Sequence, residues 1–183
     1  MLRRSLATAL LALVTFGATV PRPAGEFAFE TPSGQQVLLS KYRGKVVLLA
    51  FFSTSCPHCQ NAARMMERLQ KEYGPKGFQA LGVCFNDMAK MLTAEFIQNQ
   101  QVTFPVGYAL QEQVLPYVQH PQGAVPYVPM FLFIDRQGVV RYQATGGEEG
   151  AKTEEPNVRT QLLKILNGAA AAAPAQKKAP GKS

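Results

Sequence analysis

The chain has 183 residues, enough for one domain with a hydrophobic core, and 46% of them are hydrophobic. Its formal net charge of +7 is concentrated at the ends, because six of the 19 basic side chains lie in residues 1–25 and 167–183, which carry no acidic side chain. Residues 26–166 keep 13 basic against 12 acidic side chains, so the charge gives no reason to expect nucleic acid as a partner.

Residues 1–25 have the pattern of a signal peptide or an N-terminal membrane anchor. Arg3 and Arg4 precede the uncharged stretch Ser5–Val20, which is rich in Leu, Ala and Val and is followed by Pro21. Its 16 residues fall just short of the ~17–25 that a membrane-spanning helix needs, so both forms stay open. Both predict bacterial-type export, to the periplasm or to the outer face of the cytoplasmic membrane.

The first half of residues 26–166 begins with a predicted hairpin and continues with a strand, a helix and a second strand. Phe27–Phe29 and Val37–Leu39 flank a turn-rich stretch, which is typical of a short hairpin. Val46–Phe52 and Phe78–Phe85 are continuous apolar runs, as in strands buried on both faces. Between them, apolar side chains at spacings of three and four predict a helix from Cys56 to Tyr73.

The second half adds further helices and a second hairpin. Helices are predicted over Lys90–Gln100, Gln111–Val118 and Val158–Leu166, and hairpin strands over Met130–Asp135 and Val139–Ala144. This order predicts an α/β sandwich, with a central mixed β-sheet flanked by helices and an N-terminal β-hairpin extension. Residues 167–183, rich in Ala, Pro and Lys, are expected to form a disordered tail.

The tetrapeptide Cys56-Pro57-His58-Cys59 stands where the predicted helix begins. Thiols at positions i and i+3 of a helical turn are close enough to form a disulfide. The helix N-terminus favours a thiolate at Cys56, Pro57 suits the first helical position, and a protonated His58 adds positive charge beside the sulfur. We therefore predict that Cys56 attacks, that Cys59 resolves, and that the pair cycles through a Cys56–Cys59 disulfide.

Two other uses of a C-x-x-C pair are a zinc site and a purely structural disulfide. A structural zinc site needs four ligands, and only Cys84, His58 and His120 remain as further soft ligands. We therefore predict no metal and no other cofactor. Cys84 is expected to be a small buried residue of its strand, with mixed-disulfide formation near the strand end as the alternative.

These features resemble the thioredoxin superfamily, and most closely its exported TlpA/ResA-like branch, over about Phe27 to Leu166. The resemblance is carried by Tyr42–Lys45 before the first buried strand, the CPHC motif, the segment Thr103–Val106, and Val128–Asp135 followed by Gly138. It implies a thioredoxin-like fold and protein thiols or disulfides as substrates, together with a redox partner protein. It also implies a cis-proline at Pro129 that faces the dithiol, and a Val128 backbone that pairs with an extended substrate segment.

Two positions depart from the pattern of the superfamily. Ser55 stands where most members carry a Trp before the first cysteine. Ala50 stands where thioredoxin has a buried acid that accepts the proton of the resolving thiol. Proton transfer from Cys59 then depends on water or another group, because Glu67 and Glu112 are expected to be solvated helix residues.

The direction of electron transfer and two further functions stay open. Pro57-His58 matches the oxidase DsbA, whereas many TlpA/ResA-like proteins are reductases, including in cytochrome c maturation. We favour a reductase or a general oxidoreductase. A thiol peroxidase is one alternative, because Ser53 stands three residues before Cys56, although the expected upstream Pro is missing. A non-enzymatic copper-binding module or chaperone is the other, although thioredoxin-like copper proteins resemble C-x-x-x-C.

Overall fold

The computed structural model describes residues 19–168, apart from the side chains of residues 148 and 149. In chain order it contains β1 (Arg22–Pro23), β2 (Ala28–Glu30), β3 (Gln36–Leu38), β4 (Val46–Phe52), α1 (Pro57–Tyr73), β5 (Phe78–Cys84), α2 (Ala89–Gln100), β6 (Val106–Tyr108), α3 (Gln111–Tyr117), β7 (Met130–Ile134), β8 (Val139–Thr145) and α4 (Glu155–Asn167). The predicted tail lies almost entirely outside the described residues.

The strands form one mixed sheet in the order β1-β8-β7-β4-β5-β6-β2-β3. β4 runs parallel to β5 and antiparallel to β7, and β5 runs parallel to β6. β2 and β3 form the predicted N-terminal hairpin, which joins the sheet where Glu30 pairs with Tyr108. The predicted α/β sandwich with a central mixed sheet is therefore confirmed.

Both faces of the central strands are buried, which explains their uninterrupted apolar sequences. Along β4, Leu48, Ala50 and Phe52 face one core cluster, and the alternate residues face the other. Helices α1, α2 and α4 cover the Ala50 face, with buried contacts from Ala63, Met66, Phe96, Val158 and Leu162. Helix α3 and the hairpin cover the opposite face, with buried contacts from Phe27, Phe29, Val37, Val114 and Val118.

The folded domain begins before residue 26, so the predicted boundary between residues 25 and 26 needs correction. Arg22 and Pro23 pair with Val140 and Val139 of β8, which extends the sheet beyond the predicted hairpin. Ala24 is buried, and its N–H donates to the carbonyl of Gly138 at 2.9 Å. The leader prediction for residues 1–18 lies outside the described residues.

Two further elements differ from the sequence prediction. β6 was not predicted, because three residues give too short an alternation to recognise. α4 begins at Glu155, three residues earlier than predicted, with Pro156 near its first position, where a missing N–H is harmless. Within residues 19–168, no helix combines the length and the apolar character that crossing a bilayer would require.

The sheet topology brings the segments that follow β4 and β5 to one edge, together with the segment that precedes β7. The parallel strands β4 and β5 end there at Phe52 and Cys84, which stand opposite each other, and the antiparallel β7 begins there at Met130. The edge where parallel strands end is the usual location of functional sites in open α/β sheets. Cys56 and Pro129 follow and precede these strands, so the fold places the predicted site residues at this edge.

Candidate active site

Cys56 is the residue that caps the N-terminus of α1. Its backbone is extended, with φ −81° and ψ 119°, and its carbonyl accepts the first helical hydrogen bond from Gln60 N–H at 3.0 Å. Pro57 occupies the first turn, as predicted. The Cys56 side chain is partly exposed, so its sulfur is reachable from solvent and lies at the positive end of the helix dipole.

Cys59 lies one helical turn further on and is fully buried. Burial raises the pKa of its thiol well above the ordinary range, and a hydrogen bond with the Cys56 thiol acts in the same direction. The backbone N–H of Ser53 opposes this shift because it favours a thiolate at Cys59. The two cysteines are free thiols in this structure, one accessible and one shielded.

Ala50 belongs to the same buried cluster as Cys59 and is itself fully buried. Its methyl group therefore occupies the core position that the resemblance associates with a proton-accepting acid. The described groups that act on the Cys59 thiol are the Ser53 backbone and the thiols of Cys56 and Cys84, and none of them is a carboxylate.

The Val128–Pro129 peptide bond is cis, as the resemblance implies. The Pro129 carbonyl accepts a hydrogen bond from Gly146 N–H at 2.9 Å, which ties the loop before β7 to the end of β8. A Cβ atom on Gly146 would lie only 2.5 Å from the Val128 carbonyl oxygen, so the close approach of these two backbones requires a glycine.

A groove of about 650 Å³ opens beside His58, between α1, the Val128–Pro129 loop and the segment that leads into α4. Its α1 wall contains His58, Met65 and Arg68, and the facing walls contain Tyr127, Val128, Pro129, Gly146, Gly147, Glu154 and Glu155. The structure thus brings Val128 and Pro129 into one groove with His58, which stands between the two cysteines in the sequence. His58 is exposed, and its predicted electrostatic role remains a prediction.

Cys84 ends β5 and is fully buried in the same cluster as Cys59. Burial raises the pKa of its thiol to about 12, against a smaller opposing contribution from a hydrogen bond with Thr93. The expectation of a small buried residue is confirmed, and Cys84 also stands at the end of its strand. A thiol with this pKa is a poor nucleophile at neutral pH.

Glu67 is not a solvated residue, which corrects the sequence prediction. It is 5% exposed, and its carboxylate accepts hydrogen bonds from the N–H and the hydroxyl of Thr103 at 2.8 and 3.0 Å. Burial alone would raise its pKa, but these bonds and Lys71 outweigh burial and lower it. Glu67 therefore fixes the segment before β6 to α1, whereas Glu112 is exposed as predicted.

Asn86, which lies after β5, is a further residue of the site that no sequence pattern marks. Its side chain makes two hydrogen bonds to Thr54, two residues before Cys56. The two residues are 32 positions apart, so no local pattern could reveal the contact. Among the described residues, no group of three or more His, Cys, Asp and Glu side chains is arranged to hold a metal ion.

The chain is similar to proteins of one large redox family. The AhpC/TSA family profile matches residues 20–143. The thiol-disulfide oxidoreductase ResA of Geobacillus thermodenitrificans is 32% identical over 133 residues, which cover 73% of this chain and 71% of the relative. A Xenopus laevis protein named as a glutathione peroxidase 8-B is 30% identical over 148 residues, which cover 73% of this chain and 70% of the relative.

A solved structure agrees with these sequence relationships. A Chlorobium tepidum protein described as a thiol:disulfide interchange protein DsbE superposes with a TM-score of 0.68 and 27% identity, over 82% of this chain and 99% of that one. The chain therefore belongs to the AhpC/TSA family and is a thioredoxin-like thiol–disulfide oxidoreductase of the ResA and DsbE type.

Proposed function

We propose that this protein is an exported reductase of disulfides in other proteins, with Cys56 as the attacking thiol and Cys59 as the resolving thiol. The observation that carries the proposal is the contrast between the two thiols of one helical turn. Cys56 is partly exposed at the N-terminus of α1, whereas Cys59 is fully buried. An external disulfide therefore meets Cys56 first.

The reaction consists of two thiol–disulfide exchanges. The Cys56 thiolate attacks one sulfur of the substrate disulfide, forms a mixed disulfide and releases the other substrate sulfur, which takes up a proton. Cys59 then loses its proton, attacks the Cys56 sulfur and releases the second substrate thiol. Two electrons have passed to the substrate, and the Cys56–Cys59 disulfide must be reduced again by a redox partner protein.

The groove beside His58 supports a protein segment as the substrate. Val128 lines this groove, and its backbone N–H and carbonyl can pair with an extended substrate segment as an additional strand would. Glu154 and the ion pair of Arg68 with Glu155 place charges of both signs along the same groove, where polar residues that flank the substrate cysteine can bind.

The reductase direction rests on the resemblance to TlpA/ResA-like proteins, many of which are reductases, and reduction during cytochrome c maturation is the specific role that we propose. Equilibration of the dithiol with glutathione buffers, followed by alkylation of free thiols, measures its potential. A value near thioredoxin's, about −270 mV, is expected. A value near DsbA's, about −120 mV, would reverse the proposed direction.

Insulin reduction tests the division of roles between the cysteines. Cys56→Ser is expected to abolish turnover, and Cys59→Ser is expected to accumulate the mixed disulfide. Cys84→Ser is the matched control, because that buried thiol takes no part in the cycle, and it should retain turnover. Full turnover in Cys56→Ser would refute the proposal.

Export is supported by the basic residues Arg3 and Arg4 and the uncharged stretch Ser5–Val20, which precede β1. Membrane association through that segment is the alternative to release after cleavage. Fractionation of bacterial cells followed by N-terminal sequencing distinguishes the two forms. Recovery of the full chain in the cytosol would contradict export.

A thiol peroxidase is the second candidate, and the likeness to the Xenopus laevis protein favours it. In that reaction the Cys56 thiolate would attack a peroxide, release an alcohol or water, and form a sulfenic acid that Cys59 converts to the disulfide with loss of water. Consumption of hydrogen peroxide in the presence of a dithiol reductant tests it. Measurement of copper in the same preparation tests the metal-binding alternative.

A further inference from the structure

Thr54 occupies the loop that links β4 to Cys56, and three of its polar groups are held by side chains from other elements. Its N–H donates to Asn86 Oδ1 at 3.0 Å, and its hydroxyl accepts from Asn86 Nδ2 at 3.1 Å. Its carbonyl accepts from Gln60 Nε2, on α1, at 3.2 Å. Thr54 is 8% exposed, so these bonds are largely protected from water.

The loop held in this way touches both cysteines through Ser53. The Ser53 carbonyl accepts a hydrogen bond from Cys56 N–H at 3.2 Å. The Ser53 N–H faces the Cys59 sulfur. Thr54 is the next residue in the chain, so its position fixes the peptide groups that contact the two thiols.

Asn86 itself is anchored to the sheet. The neighbouring Phe85 N–H donates to the Phe52 carbonyl at 3.1 Å, which continues the pairing of β4 and β5 past the strand ends. The Asn86 carboxamide therefore connects the sheet to the loop between β4 and Cys56. The Thr54 N–H needs an acceptor and the Thr54 hydroxyl oxygen accepts from a donor. A single carboxamide side chain provides both.

We propose that Asn86 is a positioning residue that sets the redox equilibrium of the dithiol by holding Thr54. This inference rests on the proposed function, since it requires a reversible dithiol–disulfide couple at Cys56 and Cys59. The contacts described belong to the free-thiol form. The Ser53 N–H that these contacts hold against Cys59 stabilises a thiolate more than a disulfide sulfur, because a thiolate is the stronger hydrogen-bond acceptor. Release of the loop therefore withdraws stabilisation from the free-thiol form and shifts the equilibrium towards the disulfide.

The test is equilibration with glutathione buffers of the wild type, Asn86→Ala, Thr54→Val and the double variant. The reaction exchanges two electrons and two protons, in which the dithiol and oxidised glutathione give the protein disulfide and two molecules of reduced glutathione. Asn86→Ala is expected to raise the equilibrium constant towards the disulfide about tenfold, which corresponds to about 30 mV. Thr54→Val removes only the hydroxyl contact and should give about a threefold change in the same direction.

The double variant distinguishes positioning from general damage. If the Asn86–Thr54 contact carries the effect, the double variant should match Asn86→Ala within about twofold, because the shared contact is already lost. Asn99→Ala is the matched amide deletion, since Asn99 is exposed and bonds only to Glu95 on its own helix among the contacts described, and it should leave the constant unchanged. Thermal unfolding of each variant shows that folded protein was measured.

The outcomes separate the two proposals. A wild-type protein without a reversible couple would overturn the proposed function. A reversible wild type whose equilibrium constant is unchanged in both Asn86→Ala and Thr54→Val would overturn the role of Asn86 alone. Should Asn86→Ala fail to fold, Thr54→Val decides the question by itself.

Discussion

The proton of Cys59 is the central problem of the chemistry at this site. The thiol must deprotonate before it attacks the mixed disulfide, yet burial holds its pKa far above the ordinary range. Ala50 provides no acceptor, and the described groups that act on this thiol include no carboxylate. Deprotonation of Cys59 is therefore expected to limit the second exchange step.

The rate of this step should depend steeply on pH. Because the thiolate fraction of Cys59 grows with pH throughout the range below its pKa, we expect the rate to rise about tenfold per pH unit between about pH 6 and 9. Reaction with Ellman's reagent forms a mixed disulfide at Cys56, and the release of the second thionitrobenzoate reports the attack by Cys59. A plateau near the ordinary cysteine value of about 8.5 would contradict a strongly shifted thiol.

Substitution of Ala50 by Asp should supply the missing acceptor. We expect release of the second thionitrobenzoate at pH 7 to accelerate at least about tenfold, since a positioned base contributes factors of this size or more. Ala50→Asn is the control, because it has the same shape without a basic carboxylate. An equal acceleration in both variants would show that space, rather than proton transfer, limits the step.

The same Asp should destabilise the domain in a pH-dependent way. Burial raises the pKa of a carboxyl in the folded state above its unfolded value of about 3.9. The free energy of unfolding is therefore least affected below about pH 4 and falls as pH rises through the folded pKa. Urea unfolding at pH 4 and pH 7 measures this loss, and Ala50→Asn should show no such pH dependence.

Among the elements, the approach of β8 to the loop before β7 shapes the groove. Gly146→Ala would place a methyl group 2.5 Å from the Val128 carbonyl oxygen and must displace the Val128–Pro129 loop. We expect KM for a protein disulfide to rise about tenfold or more, because the substrate loses its backbone partner.

Gly107→Ala separates this effect from simple loss of stability. A Cβ atom there meets the Glu30 carbonyl oxygen, at the junction of β2 and β6 and on the opposite side of the sheet order from β7 and β8. It should lower the melting temperature and leave KM unchanged for the folded protein. Equal changes in KM for both variants would show that Gly146 has no specific role in substrate binding by the groove.

Elements with strong local patterns were predicted almost residue by residue, whereas contacts between distant segments were not. The observed bounds of β4 and α1 closely match the predicted ones, because an apolar run and a helical spacing can be recognised within a short stretch of sequence. Glu67 was misjudged because only the folded chain brings Thr103 N–H to its carboxylate. The Asn86–Thr54 contact also joins distant segments, and from the sequence alone an Asn after a strand reads as an ordinary turn residue.

At the scale of the whole molecule, residues 22–24 extend the sheet, because β1 pairs with β8 at one edge. Arg22 donates to the Tyr117 carbonyl at 3.2 Å and to Gln143 Oε1 at 3.1 Å, and Ala24 N–H donates to Gly138. The segment was assigned to the leader because its sequence is short and interrupted by prolines. Its contacts show that the stable domain includes it.

A comparison of two shortened chains measures this contribution. A chain that starts at Thr19 keeps β1. One that starts at Glu26 loses β1 and at least the three hydrogen bonds of Arg22 and Ala24, worth ~3 kcal/mol. For a domain of this size, the melting temperature of the shorter chain should be lower by about 6–12 °C. Equal melting temperatures would mean that β1 contributes nothing to stability.

The shielded thiol without a nearby base also has a practical consequence. A slow second step prolongs the life of the covalent complex between Cys56 and a substrate, and mildly acidic conditions prolong it further. The unmodified protein can then serve as bait for its own partners. Acid quenching of intact bacteria and mass spectrometry of the captured conjugates would identify them without a trapping mutation.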